Sequence, residues 1–226
     1  MIDNVGSKGQ FVTNRLPDKP KERDLPRMTT TPYSMSFTTA SLLSHESILV
    51  AELFADVGDW DEVRRRVLAE NRLQMRTSNS SKRVFSEIAS RLKQLTSAQM
   101  TYLLAAGRRE QNYLLWLAYC KRYRFVYDFA VEVVQEKYRR LDLILTYEDY
   151  DIFFNHKAEW RPEVERVAVS TRKKQRQFLF KVMRDAELLS AANKIVPLFL
   201  SPSLIQVITG DDPAHLAVFA AQPTPP

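Results

Sequence analysis

The 226-residue chain holds a single cysteine, Cys120, so an intrachain disulfide and a cysteine-rich metal centre are both excluded. A reducing compartment fits that usage. Only five glycines occur, at Gly6, Gly9, Gly58, Gly107 and Gly210. A phosphate-cradling loop needs clustered glycines so that backbone N–H groups can close on the anion, and these scattered ones form neither a P-loop nor a dinucleotide fingerprint. His45, His156 and His215 stand far apart, and His45-Glu46 lacks the second histidine four residues on that a zinc-protease helix requires. Long apolar runs are missing as well. Tyr113 to Tyr119 and Ile195 to Leu200 fall far short of the roughly 20 residues of a membrane span. The charged and polar N-terminus has no signal-peptide core, so a cytoplasmic protein is expected.

What is present is 45% hydrophobic residues, 27% charged residues and a formal net charge of +6. This composition supports genuine cores and points towards polyanions, of which nucleic acid is the commonest inside cells. The charge concentrates late in the chain. Read as one helix with Ser170 as N-cap, Ser170 to Leu189 places Lys173, Gln177, Lys181 and Arg184 on one stripe and Phe178, Val182, Ala186 and Leu189 on the opposite one. Arg172, Lys173, Lys174, Arg176, Lys181 and Arg184 occur between residues 171 and 184 without one acid, a face suited to several phosphates. A basic helix is also an ordinary solvated face.

The flanking sequence extends this reading. Leu188-Leu189, a polar turn from Ser190 to Lys194, and Ile195 to Leu200 suggest two short strands around a turn, with Pro197 confining the second to an edge. Upstream, Thr146 suits the cap of a helix from Tyr147 to about Ala158, and Pro162 suits the first position of a short helix reaching Val167. Helix, helix, basic helix and hairpin in that order parse as a winged helix-turn-helix.

The rest of the chain reads as helices. Residues 1–32, with Pro17, Pro20 and Pro26 and no apolar period, are expected to be a flexible arm, and residues 213–226 a flexible tail. Between them, a helical bundle domain spans 33–142 and a basic winged-helix-like domain 143–212. Helices are expected from Ser41 to about Ala55, after a capping box at Asp59 to Glu62, after Ser80 or Ser81, and from Thr96-Ser97 towards Gly107. The second of these puts Trp60, Val63 and Val67 inward and Arg65, Arg72 and Arg76 outward, a second cationic stripe. Tyr113 to Tyr119 is apolar nearly all round and is expected at the centre of the bundle, followed by a similar helix over Tyr123 to Arg140.

Several segments in this order carry a family pattern: Ser36-Phe37-Thr38 with Leu42-Leu43, Asp59-Trp60 to Arg66, Asn71 to Arg76, Leu114 to Tyr123, Leu145 to Tyr150, and Ala158-Glu159-Trp160 with Ser170-Thr171-Arg172. From about Tyr33 to Phe219 the chain resembles BREX protein A, the BrxA family of bacterial phage-exclusion operons. The resemblance implies an all-helical protein likened to the RNA-binding NusB fold, with duplex DNA and other BREX proteins as partners and no known catalysis. It supplies no set of binding residues to transfer.

Catalysis finds little support in the residues. Cys120 lies in the apolar helix, where a thiol is usually an inert small hydrophobe. Glu148, Asp149 and Asp151 with Lys157 and Glu159 are the one grouping with the chemistry of a divalent-ion site, but acids in a first helical turn also meet the helix dipole, and Asp149 stands at the N3 position relative to Thr146. The expectation is a non-enzymatic, all-α, cytoplasmic protein without cofactor, membrane segment or small-molecule substrate. It binds double-stranded DNA through backbone phosphates. The candidate contacts are Arg172, Lys173, Lys174, Arg176, Gln177, Lys181 and Arg184, and secondarily Arg65, Arg72 and Arg76. The alternatives are an adaptor between BREX proteins, a NusB-like RNA binder and a metal-dependent nuclease.

Overall fold

The computed structural model describes Met1 and residues 32–221. The arm expected over residues 1–32 and the last five residues of the expected tail fall outside these, apart from Met1 and Pro32. The described chain is helical, with no strand longer than an isolated bridge among the described residues. Its elements are α1 (Ser44–Val57), α2 (Trp60–Ala69), α3 (Ser78–Leu92), α4 (Ser97–Ala105), α5 (Arg108–Arg122), α6 (Arg124–Phe129), a π-helical stretch (Ala130–Val134), α7 (Gln135–Arg139), α8 (Tyr147–Ala158), α9 (Pro162–Glu165), α10 (Val169–Asp185), α11 (Pro202–Thr209) and a 3₁₀ helix (Pro213–Val218).

Helix α5 is the axis of the fold, because its sequence leaves no polar stripe to face water. Every residue from Asn112 to Cys120 is buried, and α1, α3, α4, α6, α10 and the 3₁₀ helix all touch it. Trp116 and Tyr119 are fully buried, each burial contributing about 1.5–3 kcal/mol from apolar area alone. Their polar ends are satisfied: Trp116 Nε1 donates to Val218 O at 3.0 Å and Tyr119 Oη to Phe37 O at 2.7 Å. Burial pushes the Cys120 thiol well above its ordinary range, which keeps it unreactive.

Local signals set the helix ends. Gly58 adopts φ 73° and closes α1 through its N–H to Phe54 O, a left-handed cap that glycine takes without steric cost. Asp59 caps α2 by accepting from the Glu62 N–H at 2.7 Å. The reciprocal half of the expected capping box is absent, because the Glu62 carboxylate holds Arg65 and Arg66 instead. Thr77, not Ser80 or Ser81, caps α3. Thr96 with Gln99 and Thr146 with Asp149 form complete capping boxes on α4 and α8.

Two expected boundaries differ from the structure. Residues from 32 onward form one compact unit, without a division at 142/143. Phe125 of α6 explains why: its ring packs on Tyr33 and Phe37 before the bundle and on Tyr150, Phe153 and Phe154 of α8, so the core runs through. The expected tail is ordered as far as residue 221. Asp212 caps the 3₁₀ helix through the Ala214 N–H, and Val218, Phe219 and Ala220 are buried against the bundle. The apolar run Leu216 to Ala220 was the overlooked signal.

The hairpin after α10 shrinks to single bridges, Leu189 with Ile195 and Ile144 with Lys194. Ser190 N–H donates to Lys194 O at 2.9 Å, Val196 N–H to Leu188 O at 3.0 Å, and Ile195 N–H to Leu143 O at 2.7 Å. Pairing goes no further because Leu188 and Leu189 are both buried, which breaks the alternation of a strand, and Pro197 has no N–H to continue a ladder.

Candidate nucleic-acid interface

Helix α10 begins one residue before the expected cap. Its N-cap is Ala168, without a side-chain hydrogen bond, and Ser170 lies inside the first turn. It ends at Asp185, not Leu189, in a Schellman turn: Leu188 N–H reaches Met183 O, Glu187 N–H reaches Arg184 O, and Glu187 takes φ 62°. Leu179, Phe180, Val182, Met183 and the following Ala186 form the buried side, together with Gln175, whose Nε2 donates to Met35 O at 2.6 Å. Phe178, expected inward, is only half-buried.

The structure divides the candidate cations into two groups. Lys173, Lys174, Gln177 and Lys181 are exposed, and Lys173 and Lys174 have no ion-pair partner among the described residues. Lys181 lies 3.9 Å from Asp185, a weak exposed pair that leaves the ammonium available. Arg172 and Arg176 turn instead towards α8. Arg172 donates to Asp151 Oδ1 at 2.9 Å, Asn155 Oδ1 at 2.7 Å and Asp151 O at 3.0 Å, and stacks 4.5 Å over Phe154. Arg176 pairs with the other oxygen of Asp151 and covers the Tyr147 ring at 4.5 Å. Arg184 donates to Asn193 Oδ1 at 2.7 Å, tying the helix to the turn after it. These three arginines pin α10 in place.

Arg65, Arg72 and Arg76 do not share a helix face. Helix α2 stops at Ala69, so Arg72 sits in a turn and Arg76 in a bend. Arg65 is held by both oxygens of Glu62 at 2.7 and 2.6 Å, and Arg72 by Glu70 at 2.7 Å. The Arg65 ion pair lowers the Glu62 pKa to about 2. Arg76 is exposed and unpaired among the described residues, as are Arg64, Lys82 and Arg83, which the sequence pattern did not single out.

The acids considered for a metal ion are dispersed by their partners. Asp149 accepts from Thr146 and Lys137, Asp151 holds the two arginines, and Lys157 pairs with Glu132 at 2.6 Å. A groove of about 470 Å³ lies between α8 and the π stretch with α7, lined by the acids Glu132, Glu136, Asp142 and Asp149 and by the bases Lys137 and Arg140, which pair with three of them. The exposed Leu141 and Ile144 belong to the loop between α7 and α8. No helix among the described residues is long and apolar enough to cross a membrane.

The chain is similar to known proteins across most of its length. It is 28% identical over 145 residues to BREX protein BrxA of Escherichia coli O9:H4 (strain HS), covering 64% of this chain and 68% of that protein. Its fold matches the crystal structure of an uncharacterized protein from Magnetospirillum magneticum with a TM-score of 0.68 at 17% identity, covering 84% of this chain and 98% of the other. The model of the BrxA family matches residues 31–211, and the chain belongs to the BrxA family.

Proposed function

We propose that this BrxA-family protein is a DNA-binding component of the BREX phage-exclusion system, contacting duplex DNA through backbone phosphates along the exposed face of α10. The observation that carries the reading is the stripe of Lys173, Gln177 and Lys181 beside Lys174, presented to solvent while Arg172 and Arg176 tie the helix to α8 and Arg184 ties it to Asn193. Unpaired ammonium groups on a rigid helix neutralise phosphates without first breaking internal ion pairs. Asn and Gln side chains placed to read base edges are few on this face, so the contact is mostly sequence-independent. The short turn from Ser190 to Lys194, tied to α10 by the Arg184 to Asn193 hydrogen bond, takes the place of a wing in this reading.

The test is a salt titration comparing duplex DNA, single strands and RNA of one sequence. Duplex affinity falls steeply with salt and depends little on sequence. An affinity nearly independent of salt sinks the reading, and a preference for RNA transfers it to the NusB-like alternative. The reading includes no catalysis, cofactor or small-molecule substrate. Magnesium-dependent cutting of DNA that is lost on combining Glu148→Ala with Asp151→Ala overturns that part.

The apolar side chains around the groove favour a second, compatible role in docking other BREX proteins. Its carboxylates are already paired with Lys137, Arg140 and Lys157, while Leu141, Ile144 and Ile152, at 81%, 50% and 62% exposure, offer apolar contact to a protein.

A further inference from the structure

The three tryptophans of the chain have three different settings. Trp116 is fully buried and donates its N–H to Val218 O. Trp60 is stacked on Phe54 with ring centroids 4.1 Å apart and lies under Lys93. Trp160 is 76% exposed, and its indole has no aromatic, cationic or hydrogen-bonding partner among the described residues. An exposed indole presents a rigid π face to solvent, which is the surface that a stacking partner uses.

Its position follows from the pairing of α8 with α10. Tyr147 packs on Phe180 and lies under Arg176, Asp151 holds Arg176 and Arg172, and Asn155 holds Arg172. Advancing along α8 therefore means retreating along α10, so the two helices run antiparallel. Trp160, two residues past the end of α8, lies at the end of the pair where α10 begins. That first residue is Val169, itself 84% exposed. Val169, Lys173, Gln177 and Lys181 succeed one another at four-residue spacing, so they form one stripe along the helix. The stripe thus ends in an apolar step at the end of the helix pair that also carries the free indole. Arg166, Lys173 and Lys174 are unpaired at this end and outnumber the unpaired Glu159 and Glu165.

Resting on the phosphate reading of α10, we propose that Trp160 is a base-stacking residue, which receives an unpaired nucleobase from a DNA strand whose backbone follows the Lys173 to Lys181 stripe. Aromatic rings stack on any base because every base presents a π face, and phosphate contacts beside the ring hold the strand in register. The protein therefore prefers DNA containing unpaired bases, such as a bulge or fork, over a blunt duplex.

The experiment compares a blunt duplex with the same duplex carrying a run of unpaired bases, using the full-length protein. Wild type binds the second probe about tenfold more tightly, the scale of one stacked base. Trp160→Ala loses that preference with blunt-duplex affinity unchanged, and Trp160→Phe keeps most of it. The unpaired-base probe quenches indole fluorescence in wild type and has no such effect in Trp160→Phe, where Trp60 and Trp116 remain. If Lys173→Glu with Lys174→Glu weakens both probes while Trp160→Ala keeps the preference, stacking is wrong and the phosphate reading stands. If the lysine variant binds both probes as wild type does, the phosphate reading itself fails. A change in sedimentation on Trp160→Ala, with DNA binding unaltered, overturns the proposal and reassigns the indole to a protein contact.

Discussion

Asp151 of α8 holds Arg172 of α10 through a 2.9 Å hydrogen bond between its Oδ1 and the guanidinium Nε, while its second oxygen receives Arg176. One carboxylate thus keeps two cations of the basic helix from solvent anions. Replacing Asp151 with Asn leaves two partly buried guanidinium groups uncompensated, at a cost of about 1–3 kcal/mol in denaturant unfolding. The same change frees positive charge. Duplex binding by the folded variant gains salt dependence, its log–log slope steepening by about 1 for each arginine that reaches a phosphate. An unchanged slope with lowered stability assigns Asp151 to structure alone.

Charge reversal separates the two cationic regions. Lys173→Glu, Lys174→Glu and Lys181→Glu together weaken duplex binding and flatten its salt slope by about 2 to 3, with the circular dichroism spectrum unchanged because all three side chains are exposed. Arg65→Glu, Arg72→Glu and Arg76→Glu produce a smaller loss, since Arg65 and Arg72 already spend their charge on Glu62 and Glu70. The opposite ordering, with both variants folded, moves the DNA site to the end of the bundle that carries Arg64, Arg76, Lys82 and Arg83.

Leu141 ends α7 in a Schellman turn, with φ 59° at a position where its side chain is 81% exposed. Left-handed backbone costs a Leu about 1 kcal/mol that glycine avoids, and no packing is at stake. Leu141→Gly therefore stabilises the protein by about 0.5–1 kcal/mol, read as a higher urea midpoint with an unchanged m-value. A destabilised variant shows that the leucine packs on something in solution.

Acid loosens the C-terminal segment. Burial opposes the charge of Asp211, but Lys121 at 2.8 Å, His215 at 3.0 Å and Gln99 outweigh it and lower the carboxyl pKa. A carboxylate with a depressed folded-state pKa contributes stability that is fully present above its unfolded value of about 4 and is lost as pH falls through the folded value. Wild type consequently loses more melting temperature than Asp211→Asn between about pH 6 and about pH 3. Parallel losses remove Asp211 from the acid response.

The helices were legible where a single residue decides an end or a face. Thr146 and Asp149 spell out the cap of α8, Gly58 stops α1, and the unbroken apolar run around Trp116 can only be a buried helix. Long-range partners were not legible. The stripe of Lys173, Gln177 and Lys181 follows from helical spacing, but nothing in the spacing says that Arg172 and Arg176 reach Asp151, some 21 and 25 residues upstream. The exposure of Trp160 was hidden for the same reason, because a tryptophan near a helix end is buried or bare according to what packs there. The second stripe failed on one boundary: ending α2 at Ala69 put Arg72 and Arg76 off the helix.

The hydrogen bond from Trp116 to Val218 spans 102 residues of chain. At about 5–20 residues per second, a ribosome needs on the order of 5–20 s to make the stretch between them. Throughout that interval the central helix lacks its final cover, and the apolar surface awaiting Val218 and Phe219 stays open to other nascent chains. The order of synthesis thus leaves this surface exposed before its cover exists, whatever the stability of the finished fold.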